Sequence, residues 1–349
     1  MPKLKDIAEH VGVSISTVSR VINNDSSRHI NQETKTRVWK AVEELGYETA
    51  GLGKKQNRKN ERNSGREGLQ IGCIVSAPQN KYNHPYFSPI LEGIERKLTE
   101  QNSSLAYVLT LEEIQGESAL GRLLQETRLD GIIIIEGIPS TLYEKIKKSV
   151  PAVVGIDISD STVPVITYDR VQAAKTAVRH LIAEGHERIA FIGGNGLTGE
   201  MEREKRYRGY RYAMEEAGLA VDPEWILNTG WDVNESYRLM AERLGKAGPE
   251  RPTAVFAASD MLAISAMRAA AEQGLRIPED MAFVGHDNIE VSQFTMPPLS
   301  TVHVPKYEIG MMAAKVLIDQ CAERSPLPFK LVMPFEMILR PSSVRTPDS

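Results

Sequence analysis

Cysteine is scarce in this sequence, which holds only two in 349 residues, Cys73 and Cys321. Two cysteines provide no disulfide framework, and they do not have the spacing of a zinc site. The seven histidines do not cluster, and the motifs G-x-S-x-G and H-E-x-x-H do not occur. We therefore expect no metal, no cofactor and no enzymatic activity.

Long hydrophobic runs are missing too. The longest ones, such as GIIII at residues 131–135, have the length of a strand, and the first residues of the chain are polar. A membrane span needs about 20 apolar residues, and a signal peptide needs an apolar segment near the start. These patterns predict a cytoplasmic protein that does not have a membrane as a partner.

The chain as a whole has no large excess of either charge, but the two signs are unevenly distributed around a net charge of −4. Residues 1–68 carry 13 Lys and Arg against 9 Asp and Glu, while the other 281 residues carry 29 against 37. The basic surplus of the first part lies at 51–68. A basic segment next to an acidic body indicates contact with a phosphate backbone at one end of the molecule.

Residues 4–23, which read LKDIAEHVGVSISTVSRVIN, predict two short helices. Their apolar residues form two stripes with helical spacing, namely Ile7, Ala8 and Val11, and then Val18, Val21 and Ile22. Gly12 stands where the chain must reverse, and Ser14 can cap a helix that begins at Ile15. This pattern is typical of a helix-turn-helix unit, although an ordinary helical hairpin shares it.

A third helix is predicted at residues 32–45, and three short helices within residues 1–50 can form a DNA-binding headpiece. The second helix of such a unit enters the major groove. Its polar side chains lie away from the apolar stripe and are available for phosphates and base edges: Ser16, Thr17, Ser19 and Arg20.

Residues 51–68, GLGKKQNRKNERNSGREG, have Leu52 as their single large apolar residue. Such a segment cannot build a core, so we predict a basic linker. From residue 69 onward the pattern changes to strands that alternate with helices, among them a helix that includes residues 120–127. Alternation of this kind predicts right-handed βαβ units and parallel sheets.

Two similar series, which begin QIGCIVSAP and RIAFIGGNG, suggest that the α/β core has two Rossmann-like subdomains with a ligand cleft between them. This is the periplasmic-binding-protein architecture. The predicted domains are an all-α helix-turn-helix headpiece at 1–50, a hinge at 51–68 and an effector-binding and dimerisation core at 69–349. Within the core, we assign 69–168 with 300–330 to one subdomain and 169–299 with 331–349 to the other.

Candidate ligand-binding residues follow the predicted strands, because open α/β sheets bind ligands beyond the carboxyl ends of their strands. They are Tyr86, Phe87, Asp157, Arg206, Trp231, Ser259, Asp260 and Asp287. Carboxylates accept hydrogen bonds from hydroxyls, a guanidinium donates them, and an aromatic ring covers C–H groups, so the set suits a sugar. Asp260 could instead cap the helix that follows it.

The loop GGNGLTG at 193–199 has the form of a dinucleotide-binding G-x-G-x-x-G. The next predicted strand, WILNT, ends in no acidic residue that could bind a ribose. We therefore interpret the glycines as shaping a cleft loop, with nucleotide binding as the alternative.

The headpiece resembles the LacI/GalR family of bacterial repressors. The matching letters are DIA…GVS.STVSRVIN and, in the third helix, ETK.RV…A.EELGY. In wording the chain is most similar to members that regulate galactoside use. The resemblance implies base contacts by Ile15, Ser16 and Arg20, and phosphate contacts by Thr17, Ser19 and Asn23. Arg20 could bind guanine through two donors or contact a phosphate alone.

The resemblance also implies a periplasmic-binding-protein-like core with effector contacts at Asp157, Arg206, Trp231, Ser259 and Asp287. The linker departs from the family, whose hinge helix contains Ala-x-x-Leu, because those positions hold Gly53 and Gln56. Glycine weakens a helix by about 1 kcal/mol relative to alanine, and glutamine is no apolar wedge for the minor groove. Leu52 could act as the wedge in a shifted register, while Lys54 and Lys55 would contact DNA.

The sequence therefore predicts a homodimeric repressor that binds double-stranded operator DNA at the nucleoid. Its operator affinity would depend on a small galactoside-like carbohydrate. Three alternatives remain: a purine effector in the same family, a solute-binding protein of transport and a nucleotide-using enzyme. The transport protein would need an export signal where the helix-turn-helix stands.

Overall fold

A computed structural model describes residues 4–22, 30–45, 68–76, 81–114, 128–195, 199–246, 248, 250–323 and 325–344. The chain divides into two compact units, one within 1–65 and one within 66–349. The predicted linker, except Gly68, and the helix predicted at 120–127 lie outside the described residues.

The first unit contains three helices, α1 (Leu4–Val11), α2 (Ile15–Ile22) and α3 (Gln32–Glu44). Ile7, Val18 and Val38 are fully buried at the centre of their shared core. Gly12 ends α1 with a φ of +73°, a conformation that glycine adopts without strain. The hydroxyl of Ser14 caps α2. The predicted turn and cap are thus confirmed, and so are the two stripes except at Ile22, whose side chain lies outside the described part of the structure.

The second unit contains two six-stranded sheets. The first comprises β1 (Gln70–Val75), β2 (Ser104–Thr110), β3 (Gly131–Ile135), β4 (Val153–Ile156), β5 (Val165–Tyr168) and β11 (Lys330–Met333). The second comprises β6 (Ile189–Gly193), β7 (Ile226–Asn228), β8 (Ala254–Ala257), β9 (Ala282–Asp287), β10 (Ser300–His303) and β12 (Glu336–Ile338).

The strand orders are β11-β5-β4-β3-β1-β2 and β12-β10-β9-β8-β6-β7. The pairs are parallel, except that β12 runs antiparallel to β10. The central strands β3 and β8 are buried along their whole length. Helices cover both faces of such sheets, which explains why these strands read as unbroken apolar runs.

The helices of the core are α4 (Phe87–Glu100), α5 (Ser140–Ser149), α6 (Arg170–Ala183), α7 (Lys205–Glu216), α8 (Val233–Lys246), α9 (Asp260–Glu272) and α10 (Lys306–Ala322). Short 3-10 helices lie at Met201–Arg203, Pro223–Trp225 and Glu290–Phe294. We call the first sheet with α4, α5 and α10 the first half, and the second sheet with α6 to α9 the second half.

The chain passes between the halves after β5, after β10 and between β11 and β12. This differs in detail from the predicted division, in which residues 300–330 joined the first half. Residues 300–303 form β10, which pairs with β9 in the second half, and residues 331–333 of β11 pair with β5 in the first. Strand β5 itself was not predicted, because four residues after Pro164 give too short a pattern.

Candidate functional site

The first surface with functional features lies at the start of α2. Ile15 is 48% exposed although its side chain is large and apolar. The hydroxyl of Ser14 lies 2.8 Å from those of Ser16 and Thr17, and it accepts the backbone N–H of Thr17 at 3.1 Å. Exposed hydroxyls beside an exposed apolar group at a helix N-terminus suit contact with phosphates and base edges.

The remaining predicted DNA contacts divide into two groups. Ser19 and Arg20 are half-buried in α2. The others lie outside the described residues, namely Asn23, Leu52, Lys54 and Lys55. Their contacts with DNA stay predictions.

The second candidate site lies between the halves of the core. Tyr168, at the end of β5, places its hydroxyl 2.9 Å from Nε2 of His286 in β9. Lys205, at the start of α7, places Nζ 2.7 Å from Oδ1 of Asp157, which follows β4. Each contact joins one half to the other, so these strand ends face a common cleft.

Asp157 is held by charges and is not open to a ligand. Its Oδ2 lies 2.7 Å from Nε of Arg170, and its Oδ1 accepts hydrogen bonds from Lys205 and from the hydroxyl of Thr167. Burial opposes ionisation, but the charges of Arg170 and Lys205 outweigh it and lower the pKa of Asp157. Arg170 also donates to Glu136 at 2.7 Å. Asp157 thus stabilises the contact between the halves.

Tyr86 and Phe87 lie at the start of α4, and both are buried. Their rings pack edge to face with centroids 5.1 Å apart, and the Tyr86 hydroxyl accepts a hydrogen bond from Nη2 of Arg170 at 3.0 Å. These contacts leave little of either ring for stacking on a ligand.

Arg206 and Trp231 come together from α7 and from the loop after β7. The guanidinium of Arg206 lies 4.4 Å from the centroid of the Trp231 ring, a cation–π contact. Arg206 also donates from Nε to Glu204 at 2.8 Å and from Nη1 to the carbonyl oxygen of Ala258 at 3.1 Å. The indole is half-buried. The contact brings two of the predicted effector residues together, and their contact with an effector stays a prediction.

Asp287, the last residue of β9, is buried, and its Oδ1 has no hydrogen-bond partner among the described residues. Burial raises the pKa of Asp287 to about 6, although the charges of Arg206, Lys306 and Arg170 oppose that rise. A desolvated carboxylate oxygen without a donor is unfavourable in the free protein. It is therefore an acceptor that a ligand hydroxyl or N–H can satisfy.

Ser259 has a local role, since its hydroxyl accepts the backbone N–H of Leu262 at 3.3 Å and caps α9. The interpretation of Asp260 as the cap is therefore wrong. Asp260 is the first residue of the helix, is fully buried and bonds elsewhere.

Several charged residues of the cleft were not predicted from the sequence. Arg170 and Lys306 are each the first residue of a helix that follows a passage between the halves. Lys306 donates from Nζ to the carbonyl oxygen of Asp287. A cation at a first helical position directly after a strand was the available signal. Glu204 and Lys205 lie beside the predicted Arg206 and could have been found with it.

An open cavity of about 420 Å³ lies between the start of α4 and the loop after β9. Its lining residues are Pro85, Ser88, Pro89, Asn288, Ile289, Glu290, Gln293, Lys306 and Arg340. Arg206 and Trp231 are not part of this lining. Asn288, the residue after Asp287, is part of the lining, but Asp287 itself is not.

Across the described ranges, no group of three or more His, Cys, Asp or Glu could hold a metal ion. No helix in the part of the chain that the structure describes is long and apolar enough to span a membrane.

Comparison with known proteins identifies both units. Residues 3–50 match the family "Bacterial regulatory proteins, lacI family", and residues 178–343 match "Periplasmic binding protein-like domain". The HTH-type transcriptional repressor PurR of Aliivibrio fischeri (strain MJ11) is 31% identical over 330 residues, which cover 93% of each chain.

Solved structures agree with this match. The complex of the transcriptional regulator CelR with cellobiose has a TM-score of 0.69 at 26% identity, covering 98% of this chain and 100% of that one. A LacI family regulator from Enterococcus faecium with bound ribose has a TM-score of 0.68 at 26% identity, covering 78% and 98%. The chain belongs to the lacI family of bacterial regulatory proteins and is a DNA-binding transcriptional repressor with an effector-binding core, not an enzyme.

Proposed function

We propose that a small carbohydrate, bound between the halves of the core, modulates the affinity of this repressor for its operator. The observation that carries the proposal is the buried Oδ1 of Asp287 without a donor, in a cleft that also holds Arg206 and Trp231. Sugar hydroxyls donate to carboxylates and accept from guanidinium groups, and an indole covers the C–H face of a pyranose. The three side chains supply these complementary groups.

The two solved relatives support a carbohydrate, because one is bound to cellobiose and the other to ribose. A galactoside, favoured by the wording of the sequence, is one member of this ligand class.

A purine is the second candidate effector. It is favoured by the repressors named PurR, one of which shares 31% of its residues with this chain over nearly its whole length. A purine N–H could donate to Asp287 as a sugar hydroxyl would. The two candidates therefore have to be separated by binding measurements.

The DNA-binding form is proposed to be a cytoplasmic homodimer. Two headpieces reading a pseudo-palindrome contact enough DNA for specificity, whereas a single one does not. The segment after β9 has three exposed apolar side chains, namely Val291, Phe294 at 73% exposure and Met296 at 95% exposure. A cluster of exposed apolar side chains is typical of a surface that another subunit covers.

Calorimetric titration of the full-length protein tests the effector class. The ligands are galactose, lactose, cellobiose, ribose, guanine and hypoxanthine. We expect at least one sugar to bind, and Arg206→Ala to weaken it about tenfold or more, because hydrogen bonds to a charged group contribute about 1.5–3 kcal/mol. Arg208→Ala is the matched control, since Arg208 lies on the same helix with its side chain exposed. If purines bind and no sugar binds, the carbohydrate proposal is wrong and a purine is the effector.

A further inference from the structure

The turn that follows β9 has a backbone that side chains other than glycine rarely adopt. Asp287 has a φ of +108° and Asn288 a φ of +47°. Two consecutive positive φ values persist only where surrounding contacts hold them. This turn sets the direction of the Asp287 carboxylate, so whatever holds the turn also positions that acceptor.

Two buried side chains hold the backbone N–H groups of the turn. Asp260 accepts the N–H of Ile289 at Oδ2, 2.8 Å away, and the hydroxyl of Thr301 at Oδ1, 2.5 Å away. The Thr301 hydroxyl oxygen in turn accepts the N–H of Asn288 at 3.1 Å. Asp260 and Thr301 are both fully buried. The N–H groups of two successive residues after Asp287 are thus bound to one carboxylate, directly or through Thr301.

The chain leaves room for this carboxylate at Gly285. A Cβ at that position would lie 2.1 Å from Oδ1 of Asp260. The glycine, the aspartate and the threonine come from β9, α9 and β10, so three separate elements converge on the turn.

Fold stability alone does not explain a carboxylate here. Burial, and then the nearby charge of Asp287, raise the pKa of Asp260 well above its ordinary value, although bonds from Thr301 and Ile289 oppose the rise. A buried charge is unfavourable, and so is a strained turn. Both features are typical of sites at which a side chain must be held in a fixed position for binding.

We propose that Asp260, acting through Thr301, is a positioning residue that aims the Asp287 carboxylate into the effector cleft. The proposal deepens the proposed function and rests on it for the statement that Asp287 contacts the effector. The positioning itself can be tested without any effector.

The test measures the titration of the Asp287 carboxyl by carbon NMR of the ligand-free, full-length protein labelled at aspartate carboxyl groups. The signal absent from Asp287→Asn identifies Asp287. The charged groups that act on this carboxyl are Arg170, Arg206, Lys306, Glu136 and Asp260. We expect a midpoint near pH 6 in the wild type and in Thr301→Ser, which keeps the hydroxyl.

In Thr301→Val and Gly285→Ala we expect the midpoint to fall by about one pH unit or more, because a released turn lets the carboxylate reach solvent. Asp260→Asn should lower it too, in part because it removes a neighbouring negative charge. Thr295→Val is the matched control. The Thr295 hydroxyl bonds the carbonyl oxygen of Pro297 at 2.7 Å and that of Ser292 at 3.1 Å, not a group of the turn. Its midpoint should stay near pH 6.

An unchanged midpoint in Thr301→Val would overturn the proposal, as would an equal fall in Thr295→Val.

Binding of cellobiose and of ribose then tests whether the position of the Asp287 carboxylate affects ligand affinity. Thr301→Val should weaken binding of whichever sugar the wild type takes by about tenfold, with Thr301→Ser restoring it. If the wild type takes neither sugar while the carboxyl midpoint falls in Thr301→Val, the carbohydrate effector fails but the positioning role of Asp260 stands.

Discussion

Among single residues, Asp287 shows how a binding site lowers the stability of the free protein. Its carboxylate is buried at the end of β9, with one oxygen that no described group satisfies. Arg206 and Lys306 compensate only part of the desolvation, since the pKa remains raised to about 6. A group of this kind stabilises the folded chain more when it is neutral than when it is charged.

We predict that Asp287→Asn stabilises the ligand-free protein, and more so at high pH. A folded pKa near 6 against an ordinary value of 3.8 means that ionisation of Asp287 opposes folding above pH 6. The loss is about 1–3 kcal/mol there and shrinks as the pH falls through 6 toward 4. The measurement is the thermal midpoint of both proteins at pH 8 and pH 4.5.

Glu187→Gln controls for the loss of a negative charge in general, because Glu187 is exposed and lies before the amino-terminal end of β6, whereas Asp287 lies at the carboxyl-terminal end of β9. We expect Glu187→Gln to change the thermal midpoint little at either pH. A gain for Asp287→Asn that is equal at both pH values, or larger at pH 4.5, would show that the carboxylate is not desolvated in the free protein.

Among the elements, those with long or regular patterns were predicted from the sequence. The stripes of α1 and α2, the apolar runs of β3 and β8, and the alternation of the core all follow from periodicity and turn residues. The four-residue strand β5 was not predicted, because its pairing with β4 and β11 is not visible in the local sequence.

The same distinction applies to the site. Strand-end positions led to Arg206, Trp231 and Asp287; the structure packs Arg206 on Trp231 and brings its charge near Asp287. The pairing of Asp157 with Arg170 and Lys205 joins segments that are distant in sequence, so no local pattern could show that this carboxylate is already occupied. The hydrogen bonds of Asp260 were hidden for the same reason.

The linker at 51–68 remains a prediction from sequence, and its composition indicates an electrostatic tether more than a preformed helix. Replacing Lys54, Lys55, Arg58 and Lys59 by alanine should lower the salt dependence of DNA binding. The slope of the logarithm of the affinity against the logarithm of the salt concentration should decrease by up to about one for each phosphate that is no longer neutralised. The measurement is the dissociation constant for DNA over a range of salt concentrations.

Leu52→Ala is the comparison variant for the tether. It should change DNA affinity less than the fourfold replacement does, because a flexible tether inserts no apolar wedge. An unchanged salt slope after the fourfold replacement, together with a large decrease in affinity from Leu52→Ala, would show that a wedged hinge helix forms on DNA.

In the whole molecule, the proposed control requires a change in the effector-binding core that links ligand binding to DNA binding. Contacts between the halves, such as Lys205 with Asp157 and Tyr168 with His286, would lengthen or break if the cleft opened. A ligand that prefers one of these states shifts their equilibrium by its difference in affinity for the two. In a dimer, that shift would alter the spacing of the two linkers and therefore the fit of both headpieces to the operator.

The most direct measurement is the affinity of the full-length protein for an operator duplex, selected by the protein itself from random sequence, with and without each sugar and purine of the binding panel. We predict that a sugar changes the dissociation constant by about 5–150-fold in the wild type and in Glu187→Gln, but not in Asp287→Asn. An operator affinity that no sugar changes, or that responds equally in Asp287→Asn, would contradict control by a carbohydrate at this cleft.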